Sequence, residues 1–135
     1  MPDESPKVLE KTYTVTDQEA IHFMGVGAVP VLSTPSLVNW MELTSRENAA
    51  PLLNPGDDTV GLSVHIKHLA ATPVGMQVKV VSKLTQVEGR IYSFQVEAFD
   101  AIEKIGEAAH QRASVNVVKF TERVKAKKQR LAGAG

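Results

Sequence analysis

The sequence predicts an α+β fold, a curved antiparallel β-sheet wrapped around one long central helix. Three observations predict it. One segment, beginning at Thr34, carries apolar residues at helical spacing. Nearly all of the chain from Asp58 to Val118 alternates apolar and polar residues with period two. The breaks between those alternating runs are short, and short connections join antiparallel neighbours.

Residues 1–10 contain Pro2 and Pro6 among mixed charges and are expected to be flexible. Lys11 to Thr16 is rich in Thr, Tyr and Val and predicts a first strand. The stretch HFMGVGAVPVLST is apolar and glycine-bearing without a clean period, and is expected to be a loop lining something apolar. Thr34-Pro35 then predicts a helix start, with Thr34 as N-cap and proline, whose φ is preset, at the first helical position. Leu37, Val38, Trp40, Met41 and Thr44 predict a helix of about 14 residues buried on more than one side. Pro51, Asn54, Pro55 and Gly56 end it.

Val60, Leu62, Val64 and Ile66 alternate with Gly61, Ser63, His65 and Lys67, a half-buried strand. A turn at Thr72 to Gly75 leads to a strand through Met76, Val78 and Val80. Glu88-Gly89 is a hairpin turn, after which Tyr92, Phe94, Val96 and Ala98 share a face. A turn near Asp100 leads to a last strand through Ala113, Val115 and Val117. One helix followed by a meander is the hotdog arrangement. It leaves an edge strand in need of a partner, so a homodimer or higher homo-oligomer is expected. The tail, residues 120–135, is basic and predicts a short helix fraying into AGAG.

Composition bounds the chemistry. A chain of 135 residues with 43% hydrophobic and 22% charged side chains fits one ordinary globular domain. Net charge is zero, against wholesale electrostatic binding to nucleic acid. With no cysteine there is no disulfide, thiolate nucleophile or zinc-thiolate site. The polar N-terminus is not a secretory signal, and no apolar run approaches the roughly 18 residues that span a bilayer, so a cytoplasmic protein with no membrane partner is expected.

His22, His65, His68 and His110 lack the spacing of common zinc motifs, and no phosphate-binding loop or Gly-x-Ser-x-Gly occurs. His68 continues the series of Val64 and Ile66, so the buried face ends in an imidazole. It suits a general base, or else it satisfies a backbone carbonyl at the strand end. Glu42 lies amid Trp40 and Met41 on a largely buried helix; it is either a working carboxylate or half of an i,i+4 pair with Arg46. Thr34 caps the helix and can also serve an oxyanion site at its N-terminus. Glu42 follows Thr34 by eight positions, about 12 Å along a straight helix, so either the substrate bridges them, or the Thr34 hydroxyl projects from the cap, or a second subunit completes the site. His110 and Arg112 share one face of the last strand, read as a polar sheet face.

From Thr34 to about Phe120 the chain resembles the fluoroacetyl-CoA thioesterase-like family of hotdog thioesterases. The resemblance runs in order through TPSLVNWME, VGLSVHIKHLAATPVGMQVKV, VEGRIYSFQVEAFD and IGEAAHQRASVNVVKF, with HLAATPVG the most specific part. It implies hydrolysis of an acyl-CoA thioester without metal or prosthetic group. Thr34, Glu42 and His68 match the family's catalytic Thr, Glu and His, and Gly61 matches a glycine near the substrate carbonyl. By that resemblance Glu42 is nucleophile or general base, His68 activates water and Thr34 positions. The family's fluoroacetyl enzyme carries phenylalanines before the Thr as a selective lid. Here no aromatic lies between Met24 and Thr34, which implies a different acyl specificity. The competing reading is a hotdog dimer that holds an acyl ligand without turnover. A hydratase is disfavoured, because no Asp-x-x-x-x-His motif occurs between Thr34 and Pro51.

Overall fold

The structure, a computed structural model, describes residues 7–133. Its elements in chain order are β1 (Lys7–Thr14), β2 (Ala20–Ile21), β3 (Val31–Leu32), α1 (Thr34–Ala49), β4 (Asp57–His68), β5 (Gln77–Glu88), β6 (Ile91–Phe99), β7 (Lys104–Asn116) and α2 (Val117–Gly133). Five strands form one sheet in the order β1-β5-β6-β7-β4, every neighbour antiparallel. β2 and β3 form a separate short pair, so the glycine-bearing stretch is a loop closed at its base.

α1 lies against one face of this sheet. Its buried residues are Leu37, Trp40, Met41, Thr44, Ser45, Asn48 and Ala49, a single stripe at three- and four-residue spacing. The expected burial on more than one side is therefore corrected: the flank with Glu42 and Leu43 is left open by the described residues. The stripe meets Val78, Val80, Phe94, Val96, Ala98 and Ile105 in the core. Gly106 admits the helix, since a Cβ there would lie 2.9 Å from Leu37 Cδ2. Polar residues in the stripe are bonded as burial demands: Ser45 to Ser82 at 2.9 Å, and Asn48 Nδ2 to the Ser82 carbonyl at 3.1 Å.

Three expectations about boundaries are corrected. β1 starts at Lys7, because that residue pairs with Leu84 and its ammonium donates to the Asn48 carbonyl at 2.7 Å; residues 1–6 lie outside the described residues. The N-cap of α1 is Ser33, whose hydroxyl accepts from the Ser36 amide at 3.2 Å, and Thr34 is the first helical residue. The last strand stops at Asn116, whose side chain accepts from the Lys119 amide at 3.1 Å. That cap turns Val117 and Val118 into the first turn of α2, a 17-residue helix with no buried residue.

β4 positions the site. Its pairing with β7 slips between Gly61 and Ser63, where Leu62 is the extra residue of a β-bulge. Before the bulge the odd-numbered Thr59 is the buried residue; beyond it the even-numbered Val64, Ile66 and His68 are the more buried. Strict alternation places Gly61 and His68 on opposite faces, with Leu62 inward. The bulge instead turns both toward α1 and leaves Leu62 53% exposed. The outer edge of β4 has no strand partner among the described residues.

Candidate functional site

Two clusters of polar side chains sit along α1, one at its N-terminus and one at its middle. At its N-terminus, the Thr34 hydroxyl lies 2.8 Å from His68 Nδ1. Because Ser33 takes the cap role, the Thr34 hydroxyl is free to project across to the end of β4. His68 Nε2 is buried and has no hydrogen-bond partner among the described residues. Burial lowers the His68 pKa below its ordinary value, against a smaller opposing pull from the Ala70 backbone. The ring is therefore neutral at neutral pH, with one nitrogen available to accept a proton.

Beside this pair lies a cleft of about 520 Å³ lined by Ile21, Phe23, Val31, Leu32, Leu69 and Ala70. Its walls come from the glycine-bearing loop and the segment after His68, so the loop does line something apolar. Phe23, one residue before the aromatic-free stretch, is the aromatic in that wall.

The second cluster centres on Glu42, two helical turns further along. Its Oε2 accepts from Arg112 Nη1 at 3.2 Å. The i,i+4 pairing with Arg46 does not form; Arg46 instead grips Asp58 through two contacts, at 3.0 and 2.6 Å. Arg112 is 5% exposed, and two of its nitrogens are held by Thr59: Nε donates to Thr59 Oγ1 at 2.8 Å and Nη2 to the Thr59 carbonyl at 2.9 Å. Burial lowers its proton affinity, and Glu42 opposes that as the nearest anion. Gly61 faces the same carboxylate, with a Cβ position only 2.9 Å from Glu42 Oε2. Any side chain there would push the carboxylate aside.

The expected site residues thus fall into two pairs within one chain: Thr34 with His68, and Glu42 with Gly61. The buried partners His110 and Arg112, expected on a polar sheet face, in fact point at α1. A signal was present: Gly106 and Ala108 at the same parity are small residues suited to a face covered by a helix. Chemically, one pair offers a hydroxyl and a neutral imidazole beside an apolar cleft. The other offers a carboxylate held by a buried cation next to open backbone.

The sequence model of the family described as fluoroacetyl-CoA-specific thioesterase matches residues 15–118. The fluoroacetyl-CoA thioesterase of Streptantibioticus cattleyicolor is 38% identical over 97 residues, covering 72% of this chain and 70% of that protein. A solved structure of the fluoroacetyl-CoA thioesterase superimposes with a TM-score of 0.84 at 29% identity, covering 91% of this chain and 96% of that one. A hypothetical protein of Thermus thermophilus, a thioesterase superfamily member, gives a TM-score of 0.87 at 27% identity over 96% of each chain. A mutant of the fluoroacetyl-CoA-specific thioesterase in complex with fluoroacetate and CoA gives 0.81 at 31% identity, over 88% of this chain and 98% of that one.

Proposed function

The chain belongs to the fluoroacetyl-CoA-specific thioesterase family, and from that membership we propose that it hydrolyses a small or medium acyl-CoA to free acid and CoA. The observation that carries the reading is the Thr34–His68 hydrogen bond at the mouth of an apolar cleft. Such a cleft suits an acyl chain, and the two polar groups sit where its thioester would end. The neutral imidazole takes the proton of the attacking water, and Thr34 holds the ring or the acyl carbonyl. Glu42 either attacks the thioester carbonyl itself, so that the C–S bond breaks and water then hydrolyses the acyl-glutamyl anhydride to free acid, or it orients the water whose oxygen forms the new C–O bond as the C–S bond breaks. In both routes one water is consumed, its oxygen ends in the acid, and its proton ends on the sulfur of the leaving CoA thiol. The Gly61 backbone lies open beside Glu42, so a substrate carbonyl can approach closely.

A homodimer completes this site. Within one chain Thr34 and Glu42 are about 12 Å apart along the helix. Antiparallel pairing of the free β4 edge with its copy, about a two-fold axis near mid-strand, sets the Gly61 end of one β4 opposite the His68 end of the other. The Glu42 of one subunit then faces the Thr34–His68 pair of its partner. The aliphatic cleft, with Phe23 as its aromatic wall, favours an unsubstituted aliphatic acyl group over fluoroacetyl. The expected compartment is the cytoplasm; no helix among the described residues is long and apolar enough to cross a membrane.

The test is a hydrolysis panel from acetyl-CoA to long-chain and aryl acyl-CoAs, following released thiol. Turnover of at least one aliphatic member is expected, with Glu42→Ala and His68→Ala each losing on the order of 10²-fold or more while remaining folded. A wild-type protein inert toward the whole panel would overturn the reading.

A further inference from the structure

We propose that His110 is a positioning residue for the hydrolysis: its Nε2 atom holds the Arg112 guanidinium in the orientation that presents Nη1 to the Glu42 carboxylate. His110 is 1% exposed on β7. Its Nδ1 lies 2.8 Å from the Ser63 carbonyl of β4, which can only accept, so Nδ1 carries the proton. Its Nε2 lies 3.3 Å from Arg112 Nη1, which can only donate, so Nε2 carries the lone pair. The two neighbours leave the ring one arrangement, neutral and protonated at Nδ1. Phe94 of β6 stacks on it at 5.8 Å and fixes its plane. Burial chiefly, and the Arg112 charge, lower its pKa against the opposing pulls of the Ser63 carbonyl and Glu42.

The consequence lies at Arg112. Thr59 holds Nε and Nη2, leaving Nη1 with two N–H groups to place. One goes to Glu42 at 3.2 Å and the other to His110. Without the imidazole acceptor, a buried N–H is left unpaired, and the guanidinium gains by swinging away from the carboxylate. His110 touches no reacting atom; it acts through Arg112 on Glu42. A purely space-filling His110 would make none of these demands.

The inference rests on reading Glu42 as catalytic, and the tests separate the two. In wild-type protein, two-bond ¹H–¹⁵N correlation should find His110 protonated at Nδ1 and bare at Nε2 at neutral pH. Protonation at Nε2 overturns the proposal, whether or not the protein turns over substrate. In kinetics, His110→Leu should lower kcat by about tenfold or more, with KM within about twofold. His110→Gln, which keeps an acceptor, should recover part of the loss. In an Arg112→Gln background His110→Leu should cost little further, because its route to Glu42 is already cut. An unchanged kcat, or equal losses in both backgrounds, sinks the proposal while leaving the thioesterase reading standing. Should His110→Leu fail to fold, His110→Gln compared in the two Arg112 backgrounds decides by the same criterion.

Discussion

Ser33 and Thr34 divide two tasks that adjacent hydroxyls can share. Ser33 bonds the helix amide, and Thr34 bonds His68. Ser33→Ala should therefore cost about 1 kcal/mol of stability with activity per folded molecule nearly unchanged. Thr34→Val should do the reverse, losing turnover with a small change in the denaturant midpoint; equal effects of the two substitutions would contradict this division. Gly61→Ala is expected to lower activity sharply, because the new methyl group meets Glu42 Oε2. The flexible carboxylate yields, so the melting temperature should barely move. The half-buried His68 and the buried His110 also give stability a pH dependence. His68 and His110 bind protons less readily folded than unfolded, chiefly because of burial. The unfolded chain then takes up more protons below about pH 6.5, so stability falls as pH drops through that value and levels off below the folded pKa values. Urea midpoints at pH 8 and 5.5 should show this loss, and His110→Gln should show less of it.

Among the elements, β4 and α1 carry the arrangement. Leu62 is skipped in the ladder, which runs from the Gly61–Arg112 pair to the Ser63–Gln111 pair. Removing Leu62 should consequently leave the inward set of Thr59, Gly61, Val64, Ile66 and His68 intact. The deletion variant is expected to fold cooperatively, whereas deleting Ile66 inverts the face beyond it and should abolish two-state unfolding. Circular dichroism melts of the two variants check this. α1 depends on close approach at Gly106. Gly106→Ala should destabilise by roughly 1–3 kcal/mol through overpacking against Leu37.

For the molecule as a whole, the decisive question is whether one site draws on two chains. Mixing inactive Glu42→Ala with inactive His68→Ala subunits, after dissociation and reassociation, should restore about a quarter of wild-type activity. Half the reassembled dimers are then mixed, and each mixed dimer holds one intact site of two. No recovery would place the whole site within one chain. The long edge of β4 and the open flank of α1 beside Glu42 and Leu43 are the surfaces such a dimer covers.

Much of this was legible in the sequence. Apolar residues at period two fixed β5 and β6, where Val78, Val80, Phe94 and Val96 are buried as their spacing requires. The same logic found α1 and the run β5-β6-β7, because burial follows from local patterns of apolar residues along one element; it did not place β4, which a meander sets beside β5 and which instead pairs with β7 at the far side of the sheet. The family resemblance marked Thr34, Glu42, His68 and Gly61. What the pattern could not reach was which polar groups meet. Thr34 finds His68 across 34 residues and Glu42 finds Arg112 across 70. Those contacts depend on a single extra residue in β4 and on a cap displaced by one position. Only the tertiary structure decides such matters, since a hydrogen bond requires agreement within tenths of an ångström between elements that share no local sequence.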